Sequence, residues 1–339
     1  MKIAIANSFL PAVEAIRQAL TSISRHQIIW TADDGMEAIR KCAENKPDLI
    51  LMDMILPMLN GVEATRQIMA NTPCAILIVT ATVSGASSKV FEALGAGAID
   101  AINTPDPKNK PESSRALLDK IEMMEKLLFG ASREKTPRIS PSHSKRVSLK
   151  EGRLVVIGAS AGGPLALAEV LSQLPKTFPA PIIIVQHVDA QFAQGMADWL
   201  SGQSAMPVRV AREGESPTKG VVLLAGKNDH LVFIDAHTLG YTPKPIDDVY
   251  RPSVDVFFES VVKHWRGETV GVLLTGMGRD GARGLKMLQN AGCHTIAQDS
   301  ASCMVYGMPK AAVALGAVDE ILPLNQIGLT LRRLYVDLS

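Results

Sequence analysis

Residues 155–164 decide the fold of the second half of the chain, and they read Val155-Val156-Ile157-Gly158-Ala159-Ser160-Ala161-Gly162-Gly163-Pro164. An apolar run breaks into small residues around one serine, and a helical pattern follows at once. This predicts a strand, a tight turn and a helix. The G-x-S-x-G spacing is that of a nucleophile elbow, in which a helix N-terminus offers N–H groups to an oxyanion. Glycines between a strand and a helix also serve packing, so the pattern alone leaves a structural role open.

A serine nucleophile needs a base, and the base needs a group that orients it. The apolar run 181–185 is followed by Gln186 and His187, and the run 270–274 is followed by a polar loop that contains Asp280. Ligands of parallel α/β sheets bind just outside the carboxyl ends of the strands, where all three groups are expected. We expect Ser160 to attack a carbonyl, His187 to take and return its proton, and Asp280 to hold the imidazole.

The chain order excludes two familiar folds. The order here is serine, histidine, aspartate, whereas α/β-hydrolases run serine, acid, histidine. The spacing of Gly158, Gly162 and Gly163 is not G-x-G-x-x-G, and the second strand of this half ends in His187 where a dinucleotide-binding fold has an acidic residue.

Composition bounds the class of protein. The chain has 339 residues, 47% of them hydrophobic, and a formal net charge of +1 from 35 basic and 34 acidic residues. This length suits two domains with sizeable cores, and the charge balance argues against a nucleic-acid partner. No apolar run approaches the roughly 18 residues that cross a bilayer, so we expect no membrane insertion and a cytoplasmic location. The four cysteines lack metal-binding spacing and are expected to be buried thiols.

The pattern divides the chain into residues 1–130, a linker at 131–153 and residues 154–339. The first part alternates five short apolar runs with five amphipathic stretches, which predicts a doubly wound parallel sheet of flavodoxin-like type. The linker is rich in serine and basic residues and is broken by Pro137 and Pro141. The last part repeats the α/β pattern, which predicts a Rossmann-like three-layer domain.

Several motifs resemble those of the chemotaxis-type protein-glutamate methylesterases, the CheB family, and they span nearly the whole chain. The motifs are Gly158 to Gly163, Gln186-His187, Arg251-Pro252-Ser253-Val254-Asp255, Leu274 to Gly281, Ile296-Ala297-Gln298, Ser302-Cys303 and Gly307-Met308-Pro309. The family triad falls on Ser160, His187 and Asp280, with Met277, Gly162 and Gly163 close to the substrate. Ala161 stands where many members carry threonine.

This resemblance implies the reaction and the partners. The expected activity is hydrolysis of glutamate γ-methyl esters, and deamidation of glutamines, on the cytoplasmic helices of methyl-accepting chemoreceptors. A chemosensory histidine kinase is the expected upstream partner, and the N-terminal domain is expected to gate access to the site. Hydrolysis of this kind needs no cofactor.

The N-terminal domain resembles a response-regulator receiver in which Asp53 is the phosphoacceptor and Thr80 the switch hydroxyl. Two features depart from that pattern. Ala6 and Asn7 stand at the end of the first strand where receivers carry acidic residues for Mg²⁺, and Thr104 stands before Pro105 in place of a lysine. We expect at most a weak Mg²⁺ site at Asp53 and Asn7, and slow or absent phosphorylation. Similar receivers without the lysine occur in Wsp-type surface-sensing relatives.

Two alternatives remain open on the sequence. One is a signalling adaptor without catalytic activity, in which both domains only dock partners. The other is an unrelated hydrolase of small esters.

Overall fold

The computed structural model describes residues 1–21, 25–80, 83–105, 110–129, 152–246, 248 and 250–335. The chain divides into two compact units, Met1–Lys135 and Thr136–Ser339, called here the N-terminal and C-terminal units. The predicted linker at 131–153 lies outside the described residues except for Gly152 and Arg153, and Arg153 already belongs to a strand.

The N-terminal unit is a five-stranded parallel sheet in the order β2-β1-β3-β4-β5. Its strands are β1 (Lys2–Ala6), β2 (Gln27–Ala32), β3 (Leu49–Met52), β4 (Ala75–Thr80) and β5 (Asp100–Asn103). Its helices are α1 (Leu10–Thr21), α2 (Gly35–Glu44), α3 (Gly61–Asn71), α4 (Val83–Gly95) and α5 (Lys110–Phe129). The predicted doubly wound fold is confirmed, since each predicted strand and helix of this unit has its counterpart.

The C-terminal unit is built on a seven-stranded parallel sheet in the order β14-β13-β12-β6-β7-β9-β8, with a separate antiparallel pair, β10 and β11. Its strands are β6 (Arg153–Ala159), β7 (Ile182–Gln186), β8 (Val208–Val210), β9 (Val222–Leu224), β10 (His230–Phe233), β11 (Leu239–Thr242), β12 (Glu268–Leu273), β13 (His294–Gln298) and β14 (Glu320–Leu322). Its helices are α6 (Gly163–Ser172), α7 (Ala190–Gln203), α8 (Val254–His264), α9 (Ala282–Asn290), α10 (Met308–Ala314) and α11 (Leu324–Tyr335).

The strand order places a switch point beside β6. The chain runs from β6 outward through β7 on one side and later returns to β12 on the other side. The strands β6, β7 and β12 are the buried centre of the sheet, because their apolar residues are covered on both faces. An open α/β sheet binds its ligand outside the carboxyl ends of the strands at such a point, which here is the end that carries Ser160.

The antiparallel pair lies outside the main sheet, since in the described part of the chain β10 pairs with β11 and with no other strand. One expectation from the sequence, that all four cysteines are buried, is wrong. Of the four free cysteines, Cys42 is buried, whereas Cys74, Cys293 and Cys303 are partly exposed. No helix in the described part of the chain is both long and apolar enough to span a membrane.

Candidate active site

Ser160 sits in the turn between β6 and α6, and it is 8% exposed. Its backbone is held from three sides. The Ser160 N–H donates to the Thr275 carbonyl at 3.0 Å, and its carbonyl accepts from the Gly163 N–H at 2.7 Å and from Gln186 Nε2 at 2.9 Å. The turn is therefore fixed to both neighbouring strand ends, which holds the serine in one position.

The turn depends on glycine because other groups lie against it. Gly162 has a φ of 75°, in the left-handed region that favours glycine. A Cβ on Gly163 would lie 2.0 Å from Gln186 Oε1, and a Cβ on Gly276 would lie 2.9 Å from the Ser160 Cβ. The elbow needs small residues in its own turn and in the loop after β12.

His187 leaves the sheet beside Ser160. In the register of β6 and β7, Ala159 lies opposite Gln186, and the His187 N–H donates to the Ala159 carbonyl at 3.1 Å. The next residues along the two strands, Ser160 and His187, therefore start from neighbouring points at the carboxyl edge. Among the described residues, no hydrogen bond joins the Ser160 hydroxyl to His187.

Asp280 lies in the loop after β12 and contacts His187 directly. Its Oδ2 is 2.7 Å from His187 Nε2, and the two side chains are only 4% and 11% exposed. The other ring nitrogen, Nδ1, is buried and has no hydrogen-bond partner in the described part of the chain. A carboxylate accepts hydrogen bonds, so Nε2 carries the proton and Nδ1 presents its lone pair.

The Asp280 carboxylate also caps α8. It accepts hydrogen bonds from the Ser253 hydroxyl at 2.9 Å, the Val254 N–H at 2.7 Å and the Asp255 N–H at 3.0 Å. Burial alone would raise the pKa of Asp280, but the hydrogen bonds and charge of His187 and the N–H groups of Asp255 and Val254 outweigh it. The pKa is lowered as a result, and the group is ionised at neutral pH.

A cleft of about 460 Å³ opens beside the His187 ring. Its lining residues are His187, Val188, Asp189, Asn228, Tyr250 and Arg251. The Tyr250 ring stacks on the imidazole with ring centroids 4.4 Å apart and planes inclined by 8°. The stacked rings of Tyr250 and His187 therefore form part of the cleft wall.

The structure brings together most of the C-terminal residues singled out in the sequence. Gly162 and Gly163 form the N-terminal end of α6 next to Ser160, and Gly162 packs against Met304. In the described residues the N–H groups of Ala161 and Gly162 donate no hydrogen bond, as an oxyanion site requires. Met277 lies in the loop between Thr275 and Asp280, where it is partly exposed.

Sequence reasoning gave no role to four residues that build this site. Gln186 holds the Ser160 turn. Ser253 contacts Asp280, and Tyr250 contacts His187. His230 is fully buried, and its Nδ1 accepts the Ser253 N–H at 3.1 Å. His230 is the first residue of β10, and its ring holds the backbone of Ser253 through this bond. The motifs Gln186-His187 and Arg251 to Asp255 were the signals that could have found Gln186 and Ser253.

The N-terminal unit carries Asp53 directly after β3. Burial raises the pKa of the Asp53 carboxyl, and this outweighs hydrogen bonds from the N–H groups of Ile55 and Met54 and from the Thr80 side chain. In the described part of the unit no lysine or arginine pairs with Asp53. The Asp53 carboxylate thus has the predicted hydroxyl group, that of Thr80, beside it, but no lysine or arginine side chain of the described residues.

The positions around Asp53 offer few ligands for Mg²⁺. Ala6 contributes only a carbonyl, which accepts the Asp53 N–H at 2.8 Å, and the Asn7 amide oxygen accepts the Phe9 N–H at 2.8 Å. The Thr104 hydroxyl is buried and has no hydrogen-bond partner in the described residues. One carboxylate and one engaged amide are a poor donor set for a hard cation that prefers several oxygen ligands.

Comparison with known proteins agrees with both units. Residues 155–331 match the CheB methylesterase family, and residues 3–122 match the response regulator receiver domain. A protein-glutamate methylesterase/protein-glutamine glutaminase of Pseudomonas syringae pv. syringae is 55% identical over 96% of this chain and 97% of its own. One from Cupriavidus metallidurans is 53% identical over 96% of each chain. The CheB methylesterase catalytic domain of Thermotoga maritima aligns with a TM-score of 0.51 at 35% identity, over 54% of this chain and 99% of that one.

A receiver-type unit followed by an α/β unit with a serine at its switch point defines a response regulator whose output is a hydrolase. The sequence identity to relatives over nearly the full chain narrows this class to one family. The chain belongs to the CheB methylesterase family, whose curated members are protein-glutamate methylesterases and protein-glutamine glutaminases. The resemblance seen in the sequence is confirmed.

Proposed function

We propose that this protein hydrolyses glutamate γ-methyl esters, and deamidates glutamines, on the cytoplasmic helices of methyl-accepting chemoreceptors, with Ser160 as the nucleophile. The observation that carries the proposal is the buried 2.7 Å pair of His187 and Asp280 at the strand edge that also carries Ser160. The names of the relatives, protein-glutamate methylesterase and protein-glutamine glutaminase, support the choice of glutamate esters and glutamines in proteins as substrates.

In the first half-reaction the Ser160 Oγ attacks the ester carbonyl, and its proton passes to His187 Nδ1, the ring nitrogen that Asp280 leaves free. The N–H groups of Ala161 and Gly162 stabilise the oxyanion. The bond from the acyl carbon to the methoxy oxygen then breaks, and methanol leaves with the proton from His187. For a glutamine the same step releases ammonia.

In the second half-reaction a water molecule attacks the acyl-serine and gives its proton to His187 Nδ1. The bond from Ser160 Oγ to the acyl carbon breaks, the proton returns to Oγ, and the glutamate is released. Asp280 remains ionised throughout and stabilises the imidazolium that forms in each half. The residues required for these steps all lie in the C-terminal unit.

The experiment is methanol release from a methylated chemoreceptor, measured for the intact protein and for Ser160→Ala. We expect steady release by the intact protein and release at the background rate by the variant. A variant as active as the intact protein would exclude Ser160 as the nucleophile. Faster turnover of p-nitrophenyl esters than of receptor would instead favour a small-ester hydrolase.

We also propose that the N-terminal unit regulates the reaction and that a histidine kinase is its partner. Asp53 is the phosphoacceptor candidate because it follows β3 at the carboxyl edge and lies beside Thr80. The donor set around it supports slow phosphorylation, since Thr104 and Asn7 replace charged residues. Mg²⁺, when bound, would be held through Asp53 and would neutralise the incoming phosphoryl group.

A further inference from the structure

Residues 250–253 directly precede α8 and contact both partners of the histidine–aspartate pair. Its Tyr250 ring stacks on the His187 imidazole, at 4.4 Å between centroids and 8° between planes. Three residues further on, the Ser253 hydroxyl donates to Asp280 Oδ1 at 2.9 Å. One short stretch of chain therefore contacts the histidine ring from its face and the aspartate from the side.

Four contacts hold this segment in place. The Tyr250 N–H donates to Asp248 Oδ1 at 3.3 Å, and Arg251 Nη2 is 2.8 Å from Asp229 Oδ1. The Ser253 N–H donates to Nδ1 of the buried His230 at 3.1 Å. The loop that carries Asp280 also lies against the tyrosine, because a Cβ on Gly278 would fall 2.4 Å from the Tyr250 hydroxyl oxygen. The ring is thus part of a fixed support.

We propose that Tyr250 is a positioning residue that acts through His187. Its ring fixes the imidazole plane so that Nε2 faces Asp280 while Nδ1 faces the serine side, and it stabilises the imidazolium that forms during each half-reaction. This inference rests on the proposed function, since it requires His187 to be the base.

The single hydrogen bond from Nε2 to Asp280 leaves the imidazole free to tilt about the line between the two atoms. A flat aromatic group at stacking distance removes that freedom, because any tilt brings the ring edges together. When the imidazole accepts the serine proton it becomes a cation lying on an aromatic face, which is a favourable arrangement. The stack also keeps water from one face of the ring.

The test compares Tyr250→Phe, which keeps the ring, with Tyr250→Leu, which keeps apolar bulk without an aromatic face. Ile246→Ala, at a 64% exposed position in the same connection, is the matched control. Two readouts are measured on the intact chain: kcat and KM for methanol release, and the rate at which a fluorophosphonate labels Ser160. In that labelling the Oγ–P bond forms, the P–F bond breaks, and the serine proton passes to His187, so the rate reports on the base without the receptor.

We expect Tyr250→Leu to lower kcat and the labelling rate by roughly 5- to 30-fold with little change in KM, as the loss of an aromatic–cation contact predicts. For Tyr250→Phe, kcat and the labelling rate should stay within about threefold of those of the original protein. Ile246→Ala should have the same kcat and labelling rate as the original protein.

The inference is overturned if Tyr250→Leu labels and turns over as fast as the original protein, or if Tyr250→Phe is impaired as much as Tyr250→Leu. Failure of the proposed function looks different. In that case the original protein releases no methanol, while Ser160 labelling still depends on the ring at position 250. A protein whose Ser160 does not react with the fluorophosphonate at all would contradict both proposals.

Discussion

The Asp280 carboxylate bonds His187 Nε2 at 2.7 Å with the same oxygen that accepts the Val254 N–H at 2.7 Å. The group that orients the histidine is therefore also the cap of α8. Its second oxygen is occupied by Ser253 and Asp255, so every acceptor position faces a donor. We therefore expect activity and the stability of this helix end to depend on the same side chain.

Asp280→Asn is expected to impair both properties. An asparagine side chain has one oxygen and one NH₂ group, and the NH₂ group must take the place of either Oδ1 or Oδ2. It then faces the donors that this oxygen bound, and those donors lose their acceptor. We expect methanol release to fall by about 10³- to 10⁴-fold, as when an orienting aspartate in a catalytic triad is replaced. The free energy of unfolding should fall by about 1–3 kcal/mol, the cost of unsatisfied buried groups. Steady-state kinetics and urea unfolding measure the two effects.

Asp255→Asn serves as the control for that substitution. It lies at the same helix end and its Oδ1 accepts the Gly284 N–H at 2.7 Å, a bond that an asparagine oxygen also makes. It does not contact His187, so its activity should remain close to that of the original protein. Equal losses for the two variants would show that the helix end, and not the orientation of His187, limits activity.

The free energy of unfolding at acidic pH should depend on the ionisation of Asp280. Its pKa is lowered in the folded state, so its stabilising contribution is present in full above the unfolded value of about 4 and is lost as pH falls through the lower folded value. The difference in unfolding free energy between the original protein and Asp280→Asn should therefore be constant above about pH 5 and shrink below pH 4. Burial and, to a smaller extent, the charge of Asp280 raise the pKa of Asp255, which gives the opposite slope. The comparison is therefore made with Asp255→Asn present in both proteins, so that this contribution is removed. A difference that grows toward low pH would contradict the hydrogen-bonded, ionised Asp280.

Gly276→Ala should disturb Ser160 directly. The added Cβ would lie 2.2 Å from Met308 Sδ and 2.9 Å from the Ser160 Cβ, and a displacement of about 1 Å in a catalytic group can lower the rate roughly 100-fold. Gly202→Ala is the matched control, since nothing lies within 4 Å of its added carbon near the end of α7. We expect Gly202→Ala to retain full activity and to gain up to about 1 kcal/mol of stability. Similar activity in the two variants would indicate that the turn tolerates bulk beside the serine.

The sequence predicted the strand ends that carry Ser160, His187 and Asp280 because each follows a buried apolar run, and such runs are the strongest local signal. The sequence did not single out the helices α7, α10 and α11 or the short strands β11 and β14. β11 and β14 have only four and three residues, and their burial depends on neighbours distant in sequence. The stack of Tyr250 on His187 was invisible for a related reason. It arises from a connection without periodicity, whose path is set by contacts such as Ser253 with His230.

Phosphorylation of Asp53 should be slow for lack of charged partners. With acetyl phosphate and Mg²⁺, intact mass should show little gain of a phosphoryl group on the time scale of the assay, and Asp53→Asn sets the background. Asn7→Asp combined with Thr104→Lys should raise the labelling rate at least about tenfold, since a hydrogen bond to a charged group contributes about 1.5–3 kcal/mol. Rapid stoichiometric labelling of the original protein would show that its present donor set suffices.

A fragment of residues 152–339 should be at least as active as the full chain if the N-terminal unit restricts the site. All the groups proposed for catalysis and for its support lie in the C-terminal unit, including the pair His187–Asp280 and the stacked Tyr250. The solved Thermotoga maritima catalytic domain, which aligns over 99% of its length, indicates that such a fragment folds alone. Methanol release is compared at equal concentrations of active sites titrated with a fluorophosphonate, and the fragment with Ser160→Ala gives the background. A folded, fully titrated fragment that turns over receptor more slowly than the intact protein would mean that the N-terminal unit assists the reaction, for instance by docking the receptor, and would contradict gating by restriction.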